Sequence, residues 1–248
     1  MRWKFILGLL TTCAVLMSMS YTMLIPFLPM YLIQDLGVVK ADVDMWSGAI
    51  FAITFLVSGI MAPIWGALAD KKSRKLMALR AGFCLAITYF LGGLVTNPWE
   101  LLGVRFIQGL SAGLWPALLA IISVESPKLK LGFCLGVMQG GMTAGGVLGP
   151  LFGGLLADQF GMRMAFFIAA AALFLITLAL LFFVKEEPRK PDPNAKPVKI
   201  WDFSLCKIPA VKRMLICAGV VQLTILMQQP IMPLYVAELQ GSMERIVL

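Results

Sequence analysis

Three stretches of this sequence hold residues whose types and spacing could do chemistry. In RFIQGLSAG, residues 105–113, Arg105 and Gln108 stand one helical turn apart in an apolar run, with Gly109 beside them. A guanidinium at mid-bilayer costs about 2.5–3.5 kcal/mol on insertion scales. Arg105 therefore either faces other protein and finds partners, or snorkels to the outer interface near Trp99. A cation and an amide one turn apart lie on nearly one face and can share partners there.

The second stretch, GALADKKSRK, residues 66–75, gathers Asp70, Lys71, Arg74 and Lys75 behind Gly66. Asp70 can pair with cations or with the positive N-terminus of a facing helix, and a small residue at 66 permits close helix approach. The third ends in GGVLGPLFGG, residues 145–154, holding Gly145, Gly146, Gly149, Pro150, Gly153 and Gly154. Glycines at 132, 136, 140 or 141, 145, 149 and 153 recur at helical spacing, a stripe on which a second backbone can pack. Pro150 removes one helical hydrogen bond and should bend the element.

The elements that position these residues are membrane-spanning helices. The 248 residues are 60% hydrophobic and 14% charged, with no His, whereas a soluble domain is about half apolar and about a quarter charged. A span needs roughly 20 apolar residues. Seven runs qualify, at about 5–33, 45–68, 76–96, 99–123, 131–157, 162–184 and 214–237. The first follows MRWK as in a signal peptide, yet continues without a small-residue cleavage site and reads as a retained helix. The class is all-α integral membrane, and Arg105 reads as the one basic residue well inside a span. No nucleophile–base pair or metal-ligand cluster is visible, so neither an enzyme nor a metal or cofactor is expected. The five Cys have no close pair.

The net charge of +8 lies in short basic runs between spans, which points to membrane orientation and not to nucleic acid. Arg2, Lys4, Lys71, Lys72, Arg74, Lys75, Lys128 and Lys130 mark one side, as do eight basic residues in 185–213. The other side holds Lys40 and Arg163 against Asp35, Asp42, Asp44, Glu100 and Asp158. The basic side, with the N-terminus, is expected in the cytoplasm. Residues 185–213 begin rich in Pro and charge and read as an extended linker. Beyond it, QPIMPLYVAELQG at 229–241 echoes IPFLPMYLIQDLG at 25–37. Pro26, Pro29, Tyr31 and Gly37 fall on Pro230, Pro233, Tyr235 and Gly241 at a constant offset of 204. Six spans and a linker followed by an echo of span one is the pattern of two parallel six-helix halves.

Gly66, Asp70, Lys71, Arg74 and Lys75 match the loop motif of the major facilitator superfamily, and the sequence resembles that family from residue 1 to about 241. Ser73 stands where the family usually has Gly. Arg-x-x-Gln-Gly at 105–109 looks like the family's proton-transfer motif, and 145–154 is similar to the helix motif of its drug–proton antiporters. The resemblance implies the N-terminal six-helix half of the fold in 1–184, a cytoplasmic linker in 185–213, and the first helix of a second half in 214–248, the rest of that half missing. It implies a multi-pass protein of the bacterial cytoplasmic membrane that exports apolar or cationic drug-like molecules in exchange for protons. Met19, Met23, Phe55, Trp115, Met138 and Met142 lie near mid-span and are expected in the pocket or in packing, since soft and flat surfaces tolerate varied ligands. No acidic residue lies deep in a span, so the proton carrier stays open. A carrier of sugars or other metabolites, or a fragment without transport, are the alternatives.

Overall fold

The computed structural model describes residues 2–71, 73–184 and 208–228, with the side chains of Arg2, Asp70, Lys71 and 226–228 outside the description. The linker from 185 to 207, Lys72 and the echo at 229–241 lie outside the described residues. All the regular elements described are helical. Among the described residues, six stretches are long and apolar enough to cross a membrane.

The first crossing is two helices, not the single span expected over 5–33. Helix α1 (Arg2–Leu24) stops at a turn, and α2 (Leu28–Gln34) follows. Pro26 and Pro29 remove two N–H groups within four residues, and Pro29 falls in the first turn of α2, where a missing N–H costs little. Tyr31 on α2 is fully buried and donates its hydroxyl to the Gly92 carbonyl at 2.9 Å. Gly37, at φ +68, then turns the chain toward the next crossing.

Helix α3 (Val43–Lys71) and α4 (Arg74–Leu94) form the second and third crossings. The fourth is again broken, into α5 (Pro98–Leu110) and α6 (Leu114–Glu125), where one span over 99–123 was expected. Asn97 caps α5 by accepting from the Glu100 N–H at 2.9 Å, with Pro98 at the first position where a missing N–H costs nothing. The break centres on Gly113 at φ +117, a conformation that only glycine adopts cheaply. Helix α7 (Leu131–Phe160) continues through Pro150, and Gly161 at φ +81 turns it into α8 (Met162–Phe183). Of the expected seventh span, α9 (Pro209–Gln228) is described and its remainder is not. Its described side chains are almost all exposed.

Packing pairs α1 with α7, α4 with α8 and α3 with α5. The glycine stripe makes the first pair possible. A Cβ on Gly141 would meet Thr11 Cγ2 at 2.7 Å, one on Gly145 the Val15 carbonyl oxygen, one on Gly149 the Thr22 hydroxyl, and one on Gly153 the Met23 carbonyl oxygen. Backbones in that proximity gain the dispersion contacts that hold helices together in lipid, where apolar surface alone offers no drive. Gly132, Gly136 and Gly140 have open space instead. The stripe therefore runs over 141–153.

Buried side chains form two clusters. One holds Leu28, Tyr31, Leu32, Leu101, Phe166 and Leu173. The other holds Ile6, Leu10, Leu118, Ile122, Met138 and Leu180. Met17 and Leu85 pack against both. Of the six crossings, α3 and α7 bury the least of themselves.

Candidate functional site

A cavity of about 330 Å³ opens at Met17 and Leu85, where the two clusters meet. Helix α1 contributes Met17, Ser18 and Tyr21, α3 contributes Thr54, Phe55 and Ser58, α4 contributes Leu85 and Tyr89, and α7 contributes Met142. Gln108, Gly109, Leu114, Trp115 and Pro116 come from the broken fourth crossing, together with the break itself at Ser111–Gly113. The wall surface is mostly apolar and aromatic, with six hydroxyls (Ser18, Tyr21, Thr54, Ser58, Tyr89 and Ser111), one amide and no carboxylate. The rings of Tyr21 and Phe55 meet edge to face at 6.4 Å. The Tyr21 hydroxyl is buried with no hydrogen-bond partner among the described residues.

Three of the six expected pocket residues, Phe55, Trp115 and Met142, line this cavity. Three do not. Met138 is 0% exposed in one core cluster and Met23 is 3% exposed in the other. Met19 turns its carbonyl to Gly149 of α7. The reason is helical phase. Residues 15, 19, 22 and 23 of α1 face the glycine stripe, Ser18 borders both, and Met17 and Tyr21, four apart, face the cavity. Tyr21, Tyr89, Thr54 and Ser58 escaped the sequence reading, although Thr54 and Ser58 are polar at i, i+4 in an otherwise apolar helix.

Beside the cavity, Arg105 and Gln108 are each 7% exposed, and Arg105 Nη1 donates to Gln108 Oε1 at 2.9 Å. Tyr89 lies beside both. Arg105 thus sits within the bundle with protein partners, and snorkelling does not describe it. A Cβ on Gly109 would lie 2.8 Å from the Thr54 carbonyl oxygen, which makes its absence a condition of the α3–α5 contact. Arg80, inside α4, is a second part-buried guanidinium that the sequence reading passed over.

The loop from Gly66 to Lys75 is partly described. No atom lies within 4 Å of a Cβ placed on Gly66, so the expected close approach involves no described residue. Asp70 and Lys71 close α3, their side chains outside the description. Ser73 caps α4 by accepting from the Leu76 N–H at 3.1 Å, in extended conformation at φ −67. The turn therefore needs no glycine at 73, and the serine adds a cap. Lys75 Nζ donates to the Leu181 carbonyl at 2.6 Å, tying the start of α4 to the end of α8. Arg74 also opens α4.

At the opposite end of the bundle, a second cavity of about 410 Å³ holds Gln34, Asp35, Asp158 and Arg163. Arg163 Nε lies 3.3 Å from Asp35 Oδ1. These carboxylates are far from mid-span in sequence, and the main cavity has none.

The chain is 38% identical to a protein named multidrug resistance protein MdtG from Citrobacter koseri, over 99% of this chain and 61% of that protein. A protein of the same name from Yersinia enterocolitica is 36% identical, with 99% and 59% covered. The chain thus spans about three-fifths of the length of these curated relatives. Among solved structures, a bacterial homologue of the human lysosomal transporter Spinster, inward-facing and unoccupied, superposes with a TM-score of 0.66 at 23% identity, over 83% of this chain and 48% of that one. PepTSo, a transporter of the POT family, does so with a TM-score of 0.64 at 14% identity, over 76% and 40%. These two likenesses speak to fold. The family model for the major facilitator superfamily matches residues 10–244, and this chain belongs to that superfamily.

Proposed function

We propose that this chain forms the first half, the linker and the opening of the second half of a multidrug exporter that exchanges drug for proton. The observation that carries the reading is the cavity at Tyr21, Phe55, Trp115 and Met142, placed directly against the buried Arg105–Gln108 pair. An apolar wall with aromatic and thioether surface holds varied apolar molecules without demanding one shape. A sugar carrier needs a wall that exposes mainly hydrogen-bonding groups, and the surface exposed in this cavity is mainly apolar. A cationic substrate finds no counter-charge in the described wall, so its carboxylate has to come from the facing half. Neutral apolar substrates need none.

One proton moving through about 100 mV releases about 2.3 kcal/mol, which drives roughly a fiftyfold substrate gradient at about 1.4 kcal/mol per decade. In this reading Arg105, Gln108 and Gly109 respond to protonation of a carboxylate elsewhere. Gly66, Asp70, Lys71, Arg74 and Lys75 latch the two halves on the cytoplasmic side. Gly145, Gly146, Gly149, Pro150, Gly153 and Gly154 hold α7 against α1. The N-terminus is cytoplasmic in the bacterial inner membrane.

The test is efflux of one neutral and one cationic fluorescent dye from a pump-deficient bacterium. The 248-residue chain alone should insert and leave accumulation unchanged, because halves rock around a site that both line. Coexpression with a matching second half should restore energy-dependent exclusion. Failure to exclude either dye with both halves in the membrane refutes the exporter; exclusion by this chain alone refutes the need for a facing half.

A further inference from the structure

We infer that Trp65 and Arg80 form a clamp that holds the break in the fourth crossing, and so position the cavity wall that this break supplies. The need for a clamp follows from the sequence of the break. In an α-helix the Ala112 carbonyl would accept from residue 116, which is Pro116 and has no N–H. Gly113 at φ +117 also swings the chain out of the ladder just after Leu110. Carbonyls left bare within a spanning segment are costly unless a protein group or cavity water satisfies them.

Two side chains supply the missing donors. Arg80 Nη2 donates to the Ala112 carbonyl at 2.8 Å, and Trp65 Nε1 donates to the Leu110 carbonyl at 2.8 Å. The two arms also hold each other, with Arg80 Cζ 3.4 Å from the centre of the Trp65 ring. A partly buried guanidinium over an indole is a favourable cation–π geometry. Trp65 is the residue just before Gly66 on α3, and Arg80 lies on α4 five residues after Lys75. The arms therefore come from the two helices that the charged loop joins. Of their two targets, Ala112 belongs to the Ser111–Leu114 stretch that lines the main cavity, and Leu110 immediately precedes that stretch. A shift of the loop moves both arms, and with them the angle between the helix of Arg105 and the helix of Trp115. Trp65 and Arg80 are positioning residues in this arrangement. Only the consequence for transport rests on the exporter reading; the clamp itself is testable without it.

The experiment is amide hydrogen exchange on the full 248-residue chain in lipid nanodiscs. Trp65→Phe keeps a ring for stacking but removes the donor to Leu110. Arg80→Ala removes the donor to Ala112, and Arg80→Lys retains a cation without the planar fork. Exchange over residues 110–115 should rise about fivefold or more in Trp65→Phe and Arg80→Ala, the factor that one net hydrogen bond makes. Arg80→Lys should fall between parent and Arg80→Ala. Leu118→Ala, a cavity in the core of α6, should lower the melting temperature without a selective rise at 110–115. Unchanged exchange there in Trp65→Phe overturns the clamp, as does an equal rise in Leu118→Ala. Should Arg80→Ala fail to fold, Trp65→Phe and Arg80→Lys decide the matter.

Discussion

Replacing Gly145 with Ala tests the contact on which the bundle depends. A Cβ at 145 would fall on the Val15 carbonyl oxygen of α1 and 3.1 Å from Ser18 Cβ. The first of these is backbone, so no side-chain rotation relieves it, and α1 and α7 must move apart. Overpacking of this kind costs about 1–3 kcal/mol. Against it stands the gain of about 1 kcal/mol from replacing Gly by Ala in a helix. Gly136→Ala isolates that gain, because a Cβ at 136 on the same helix meets open space. The difference between the two variants is then the clash alone, about 1–3 kcal/mol. At about 2–4 °C per kcal/mol for a chain of this size, Gly145→Ala should melt roughly 2–12 °C below Gly136→Ala. The assay is thermal unfolding of the purified chain in one detergent, followed by intrinsic fluorescence. If Gly145→Ala melts with or above Gly136→Ala, the close α1–α7 contact is refuted.

Other variants probe single interactions. Tyr31→Phe removes the buried hydroxyl from the Gly92 carbonyl and should cost about 0.5–1.5 kcal/mol, read as a lower melting temperature; no change would mean the kink after α1 is held by packing alone. Arg105→Ala strips Gln108 of its partner, and in a protein with both halves it should abolish proton-driven efflux at normal membrane levels, with Arg105→Lys poor as well. Normal efflux by either would dismiss a coupling role. Asp70→Asn should reduce transport per molecule more than protein amount, and equal reduction would leave the loop a topogenic signal. Cysteines placed at Lys40, Lys72 and Pro193 should be labelled in intact cells by an impermeant reagent at 40 only; the reverse pattern inverts the topology.

Much of the architecture was legible because lipid imposes a coarse and repetitive demand. Each crossing needs a long apolar run, and six of the expected runs appear as crossings, five of them within about five residues of their expected ends, while the first, expected to 33, ends its long helix at Leu24. Local chemistry read less well where two causes compete. Residues 5–33 and 99–123 look like single apolar helices, yet Pro26, Pro29 and Gly113 break them. Apolar composition averages over a whole run and so hides the break that one Gly or two Pro impose. Ser73 looked like a departure from a glycine turn and proves to be a helix cap, since its φ is negative.

The sequence by itself determined the membrane class, six of the seven expected crossings and the buried need of Arg105, because each follows from composition, period or the cost of a charge in lipid, while the family was legible in the motifs at 66–75, 105–109 and 145–154. Only the tertiary structure decided which face of each helix meets which neighbour. Met23 and Met138 were as good pocket candidates as Phe55 by type and depth, but α1 turns its 15–23 face to the glycines of α7 and leaves Met17 and Tyr21 for the cavity. Every face of a spanning helix is apolar, so hydropathy carries no phase, and phase is set by which backbones can approach. The clamp at Leu110 and Ala112 is invisible in sequence for a related reason. Its donors lie 45 and 32 residues away along the chain, and only the packing of α3 and α4 against the fourth crossing brings them to the carbonyls that Gly113 and Pro116 leave bare.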